Sequence, residues 1–441
     1  MKEKVKKISE HKNRTLPILS FPSAALLGIS VRELISSPGM QVKGMKAISD
    51  TCDIGASLNM MDLSLEAEAF GAGVRFYDRD IPTVEKGIID DISDAESINI
   101  PEIGAGRTGI ATQGLRLAKE TISDKPVFCG VIGPYSLAGR LFDMTELMIE
   151  CYDNPQDVKI LLSKASEFII KYIRAFKAAG ADGVIMAEPA AGLLSPMLAE
   201  EFSMPYVKQI FEAVNSDYFI LCYHNCGSSA NDMLDMIAEL GADIIHLGNA
   251  VDLKKAMDII PSDTVVMGNV DPVILSTGTK EDIIAEVQRV FDECGKYDNF
   301  MISTGCDVPP NAKWENIKEQ VYPVLVLTDR NEEFLKPLAV TEFLDMSVIY
   351  RICETTEYDG QYSIYIKQAM MQEYGITIEQ LHEQAVKNLE KENYQAKAEE
   401  TITGILSGSP FSFQERSSFW KRKWQKEHFL SNFVLTVLVF A

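Results

Sequence analysis

Three times in this chain a run with helical spacing closes on glycine, turns through two small or polar residues and enters an apolar run. The junctions are Phe70-Gly-Ala-Gly-Val74, Gly180-Ala-Asp-Gly-Val184 and Gly241-Ala-Asp-Ile-Ile245. Glycine takes the left-handed backbone that ends a helix, and so short a connection returns the next strand onto that helix. Each junction is the αβ half of a βαβ unit, and the repetition points to a parallel sheet covered by helices.

Other units fit around these three. Leu16 to Phe21, Ile54 to Met61, Pro126 to Ile132, Gly183 to Ala187, Phe219 to Tyr223, Asp243 to Leu247, Thr264 to Met267 and Asn299 to Ser303 are apolar runs of strand length. Helical spacing appears over Val31 to Asp50 (broken at Pro38-Gly39), Leu63 to Phe70, Gln156 to Ala179, Met197 to Val214 (interrupted at Pro205), Ala230 to Leu240 and Lys280 to Cys294. About eight β/α units in roughly 300 residues suit a (β/α)8 TIM barrel, an α/β fold, better than an open sheet.

In such barrels chemistry gathers at the carboxyl ends of the strands. Asp62, Glu188, His224, Cys226, Asp271 and Cys306 all fall at or just beyond such ends. Alternation along a strand puts His224 and Cys226 on one side, and the run ending at Ser303 delivers Cys306 past its tip. Imidazole and thiolates are donors that zinc prefers, and three protein ligands with a fourth position open is the catalytic arrangement. The plainer alternative is that a histidine and cysteines on apolar strands fill the core. Asp62 can equally cap the helix that begins at Leu63, Asp271 can form an Asx turn before Pro272, and His246 reads as a core or supporting histidine.

The formal net charge of -22 argues against a nucleic-acid partner, because neutralising phosphates needs clustered Lys and Arg. A small substrate or a protein partner fits better. The eight cysteines are scattered through apolar segments without the dense spacing of a disulfide framework, so a reducing cytoplasm is expected. The basic stretch from Met1 to Lys7 has no apolar run behind it and is not a signal peptide. Phe429 to Ala441 is largely apolar, but its 13 residues fall short of a membrane span, which needs about 20.

Several motifs resemble the uroporphyrinogen decarboxylase superfamily over about residues 15 to 318. They are Asp62-Leu-Ser-Leu-Glu-Ala-Glu-Ala-Phe-Gly71, Gly133-Pro134, His224-Asn-Cys-Gly227, Gly268-Asn-Val-Asp-Pro272, and Cys306 with Pro309-Pro310. Within it the chain resembles the corrinoid-dependent methyltransferases, which pass a methyl group from a methylcobamide protein to the thiol of coenzyme M. That resemblance implies zinc on His224, Cys226 and Cys306, with a thiolate attacking the methyl carbon of methyl-cobalt(III). It makes Glu188 a candidate fourth zinc ligand, displaced by the incoming thiol, or else a solvated strand-end carboxylate. Asp62 is similar to the aspartate that the decarboxylases place over their tetrapyrrole, and here it would orient substrate. The arginine-rich motif of the true decarboxylases has no counterpart around Arg14 to Phe21, so tetrapyrrole decarboxylation is the alternative activity. A degenerate barrel acting as a binding module is a third reading. No D-x-H-x-x-G motif is present, so the corrinoid is expected to arrive on a separate protein.

The barrel is expected to occupy residues 1–318, followed by a C-terminal α+β appendage. Residues 319–400 resemble the end of an uncharacterised bacterial domain family. Residues 401–441, with Trp420 and Trp424 among basic residues, read as a poorly ordered tail with membrane-surface contact as an alternative.

Overall fold

The computed structural model describes Val5, Ile8 and residues 15–318. The expected appendage and tail lie outside the described residues. A first compact unit, Met1–Thr328, contains every described residue.

Seven parallel strands form one sheet. In sheet order they are β1 (Ser57–Leu58), β4 (Val127–Ile132), β5 (Gly183–Ala187), β6 (Ile220–Asn225), β7 (Ile244–Leu247), β8 (Val265–Val270) and β9 (Phe300–Thr304). The segment from Thr15 to Ser20 takes the eighth place. Leu16 N–H donates to the Ile302 carbonyl at 3.1 Å on the β9 side, and Gly55 N–H donates to the Thr15 carbonyl at 2.9 Å on the β1 side. Both edges of the sheet are thereby joined, and the strands are those of a TIM barrel.

Alternation sorts each strand's side chains into two layers. Leu16, Ile18, Leu58, Phe128, Ile185, Ile220, Cys222, Ile244, Val265, Met267 and Met301 pack together, with Val5 and Ile8, as the inner core. The intervening residues, such as Val184, Leu221, Tyr223, Ile245 and Val266, join the outer core beneath the helices. Burial on both faces is why the strands read as continuous apolar runs rather than alternating ones.

The helix Pro155–Ala178 shows the complementary helical pattern. It buries Val158, Leu161, Leu162, Ala165, Phe168, Ile169, Tyr172, Ile173 and Phe176 on one stripe. Each large apolar side chain in that stripe contributes about 1.5–3 kcal/mol by leaving water. No helix among the described residues is long and apolar enough to cross a membrane.

All three glycine junctions end their helices as expected, with φ of +105° at Gly71, +98° at Gly180 and +77° at Gly241. The first leads to a different structure. It feeds not a barrel strand but an antiparallel hairpin of β2 (Gly73–Arg75) and β3 (Thr83–Lys86). Gly73 and Arg75 are exposed, and so short a polar run cannot be buried on two faces. The next barrel strand instead comes after the helix Thr108–Thr121. Two boundaries also move. Strand β8 runs on to Val270, and the helical run expected from Ala230 to Leu240 is a 3-10 turn, Ser228–Asp232, followed by the short helix Leu234–Ala238.

Gly180→Ala and Gly241→Ala should each cost about 1–2 kcal/mol, because an L side chain is strained at these φ values. Gly39→Ala, inside the helix Pro38–Thr51 with open space around its missing Cβ, serves as the control. Urea midpoints should fall for the first two and hold or rise for the third; equal shifts in all three would show that the left-handed caps do not matter.

Candidate metal centre

Strand β6 ends in Tyr223-His-Asn225 with Cys226 just beyond it, and parity with Ile220 and Cys222 turns His224 toward the barrel interior. His224 is paired in register with Ala187 of β5 and with His246 of β7, and it is buried. Its Nδ1 lies 3.3 Å from the backbone carbonyl of His246. A carbonyl only accepts, so Nδ1 carries the proton and Nε2 presents a lone pair. That buried Nε2 has no hydrogen-bond partner among the described residues. The His246 ring lies against the His224 ring, with centroids 4.5 Å apart, and its own Nε2 donates to the Thr304 carbonyl at 2.6 Å. Burial, and then His224 beside it, holds His246 well below the usual imidazole range and hence neutral.

Cys226 leaves β6 through a passage that only glycines permit. A Cβ on Gly248 would fall 2.4 Å from the Cys226 Cα, and one on Gly192 would fall 2.5 Å from the Gly227 Cα. Cys306 follows β9 through Gly305, whose N–H donates to the Val270 carbonyl at 2.6 Å. There the candidate donors of His224, Cys226 and Cys306 all lie within 4.8 Å of one another. The two thiols are coupled. The Cys306 thiol beside it pulls Cys226 down to about 7. The same contact, reinforced by burial, pushes Cys306 up to about 12. One soft anion, one thiol that can follow it and one bare imidazole nitrogen make a donor set suited to a zinc-like cation.

The remaining expected residues stand apart from this set. Glu188 is not a solvated carboxylate: it is fully buried, accepting from the backbone N–H of Tyr135 at 3.0 Å and of Ser136 at 2.7 Å. It thereby caps the helix Pro134–Leu141, and burial nevertheless raises it to about 7. Its carboxylate is not among the three clustered donors, so the structure does not bring a fourth ligand to them from this residue.

Asp62 stands two residues before Ser64, which precedes Leu65–Phe70 and makes no side-chain cap bond, so it is the Asp62 side chain that turns the chain into this helix. Its Oδ1 accepts from Ser64 N–H at 3.0 Å and from Ser64 Oγ at 2.6 Å, while Oδ2 pairs with Arg107. Asp271 forms the Asx turn, accepting from Val273 N–H at 2.9 Å.

Sequence reasoning passed over two charged residues. Arg107 ties together Asp62, Ser64 and Glu68, bonding Glu68 at 2.6 Å, and lies 4.7 Å over the Phe76 ring. Its signal was the pair Gly104 and Gly106, at φ of +114° and +53°, which set the turn that presents it. Glu66 is buried, accepts from Ile132 N–H at 3.0 Å, and is raised to about 7 by burial. Its place four residues after Asp62 put both on one side of the chain.

Comparison with known proteins gives two family matches. A family described as uroporphyrinogen decarboxylase (URO-D) matches residues 19–324, and a family of unknown function (DUF5688) matches residues 276–429. The methylcobamide:CoM methyltransferase MtbA of Methanosarcina acetivorans is 28% identical over 274 residues, covering 59% of this chain and 76% of that protein. The uroporphyrinogen decarboxylase of Chlorobium luteolum is 28% identical over 282 residues, covering 60% of this chain and 78% of that protein. A solved methyltransferase from Methanosarcina mazei superposes with a TM-score of 0.66 at 22% identity, covering 73% of this chain and 97% of that one, and shares the fold.

In metal-free protein, alkylation by iodoacetamide should modify Cys226 with a midpoint near pH 7, far ahead of Cys306. Cys306→Ala removes the neighbouring thiol that favours the Cys226 thiolate, so that midpoint should climb toward the ordinary thiol value of about 8.5. Mass spectrometry of the two peptides against pH measures both. A Cys226 midpoint that ignores the substitution would separate the two sulfurs.

Proposed function

Because the chain belongs to the uroporphyrinogen decarboxylase family, whose members among its relatives are enzymes, we propose that it is a zinc-dependent methyltransferase. It would move a methyl group from a methylated corrinoid, carried by a partner protein, to a small thiol of the coenzyme M type. One observation carries the proposal: three zinc-type donors, from two strands that are not neighbours, meet within 4.8 Å around an imidazole nitrogen with no other partner among the described residues. A metal-free decarboxylase or a binding module has no use for that convergence.

His224, Cys226 and Cys306 would hold the ion, which when bound lowers the pKa of a coordinated thiol enough to keep it as thiolate at neutral pH. The protein's own part is to prepare the donors. The His246 carbonyl fixes the His224 tautomer with Nε2 free to coordinate. The bond from His246 to the Thr304 carbonyl holds that second ring in place behind it. The contact between the two sulfurs draws Cys226 down to about 7, so a sizeable fraction is already thiolate at neutral pH before any ion arrives. Asp62 and Glu188 have their oxygens engaged by Arg107, Ser64 and the two amides, which gives them the work of shaping the rim rather than touching the ion.

Purified protein is expected to carry one zinc per chain and to demethylate methylcobalamin in the presence of a small thiol. Cys306→Ala and His224→Ala should lose stoichiometric zinc and more than about 100-fold in transfer while remaining folded. Stoichiometric zinc in either variant, or full transfer from protein stripped of metal, would sink the proposal. Porphyrinogen decarboxylation without metal would favour the alternative activity.

A further inference from the structure

Strand β8 ends in Gly268-Asn-Val-Asp-Pro272, and together with β7 it separates β6 and β9, the strands that deliver the two sulfurs. The turn after β7 fills the space between the two cysteine-bearing turns. Gly248 N–H donates to the Asn225 carbonyl at 3.0 Å. A Cβ on Gly248 would fall 2.4 Å from the Cys226 Cα and 2.6 Å from the Cys226 Cβ. Asn249, the next residue, is packed as tightly on the other side, where a Cβ on Gly305 would fall 2.6 Å from the Asn249 amide nitrogen. Gly248 and Asn249 thus form a wedge, with Cys226 on one side and the residue before Cys306 on the other.

The tip of β8 holds this wedge in place. Asn269 is 2% exposed, and its Nδ2 donates to the Gly248 carbonyl at 3.0 Å and to the Val251 carbonyl at 2.8 Å. Its neighbour Val270 accepts from Gly305 N–H at 2.6 Å. Two adjacent residues of one strand therefore reach both thiol-bearing turns, Asn269 through Gly248 and Val270 through Gly305. Only the NH2 end of an amide can face two carbonyls, so the orientation of the Asn269 side chain is fixed. The other end, Oδ1, is buried with no partner among the described residues. An orphaned buried acceptor is costly, and a leucine would fill the same space without that cost.

We infer that Asn269 is a positioning residue: by pinning the wedge of Gly248 and Asn249 it sets the spacing between the Cys226 and Cys306 sulfurs that one ion has to span. An aspartate of the same shape cannot replace it, because its carboxylate would turn acceptors toward two carbonyls. This role deepens the proposed function and rests on it wherever zinc is concerned.

The test sets Asn269→Ala and Asn269→Asp beside Asn316→Ala. Asn316 is also 2% exposed, and its Nδ2 also donates to two backbone carbonyls, those of Leu275 at 3.2 Å and Gly278 at 3.1 Å, which belong to the helix Ile274–Thr277 and its C-cap. In the metal-free full chain, phenylarsine oxide should link Cys226 to Cys306, forming an As–S bond to each thiol and releasing water, and Cys306→Ala should abolish the link. Both Asn269 variants should bind the arsenical, and zinc, at least about tenfold more weakly than the wild type. Their cobalt(II)-loaded forms should lose intensity in the thiolate charge-transfer band. Asn316→Ala should lower the thermal midpoint by a similar amount yet match the wild type in all three readouts. Gly248→Ala displaces the wedge without altering β8 and should reproduce the losses, which covers the case in which the Asn269 variants do not fold. Asn269 variants that capture the arsenical as tightly as Asn316→Ala does, or a wild type in which the two cysteines are not linked, would overturn the inference. Zinc that fails to bind the wild type would end the proposed function and leave the arsenical comparison to decide this one.

Discussion

Closure of the sheet through the segment from Thr15 to Ser20 is the constraint on which the candidate centre depends. Strands β6 and β9 are three places apart in the sheet order. In a flat sheet, three spacings would separate their ends by about 14 Å, too far for one ion. The hydrogen bonds from Leu16 to Ile302 and from Gly55 to Thr15 join the two edges, and the sheet must then curve. Curvature carries the tips of β6 and β9 across the barrel mouth, where the donors of His224, Cys226 and Cys306 come within 4.8 Å. A local motif therefore cannot make this site, and the long sequence separation between Cys226 and Cys306 is the ordinary result of a closed parallel sheet.

The chemistry of the mouth follows from which polar groups are satisfied by the protein itself. Glu188, Asp62 and Asp271 each have an amide, a hydroxyl or an arginine as partner. His224 Nε2 and the coupled sulfurs do not have that kind of settled bonding. In a buried setting an unpaired donor or acceptor costs more than a paired one gains. What sets His224 Nε2 apart from other unpartnered buried atoms is that two thiol sulfurs lie within 4.8 Å of it.

Much of this was legible in the sequence, for identifiable reasons. Long apolar runs such as Phe219 to Tyr223 and the glycine caps at Gly180 and Gly241 carry period and turn chemistry that local physics fixes. The alternation along β6 put His224 and Cys226 on one side of the strand, and Cys306 was placed just past the tip of the strand from Asn299. The Asx turn at Asp271 was one of two readings. The features hidden from the sequence depend on groups remote along the chain. Nothing near Glu188 signals that the amides of Tyr135 and Ser136 would take both of its oxygens. Arg107 meets Asp62 across 45 positions, and no local pattern announces such a pairing. The hairpin after Gly71 was misjudged because its junction matched the other two, whereas the polarity of the residues just beyond it was the better guide.

The inner core has one further implication. Val5, Ile8, Leu16 and Ile18 pack with Leu58, Phe128, Ile220, Ile244 and Val265, largely near the starts of the strands, while the cluster of donors sits where the strands finish. Among the described residues, that end of the barrel is thus packed with hydrocarbon, and the polar donors stand at the other. Substitutions at the packed end can be absorbed as changes in how long the molecule survives. Those among the donors act on whatever is held there, so the two ends are free to drift under separate pressures.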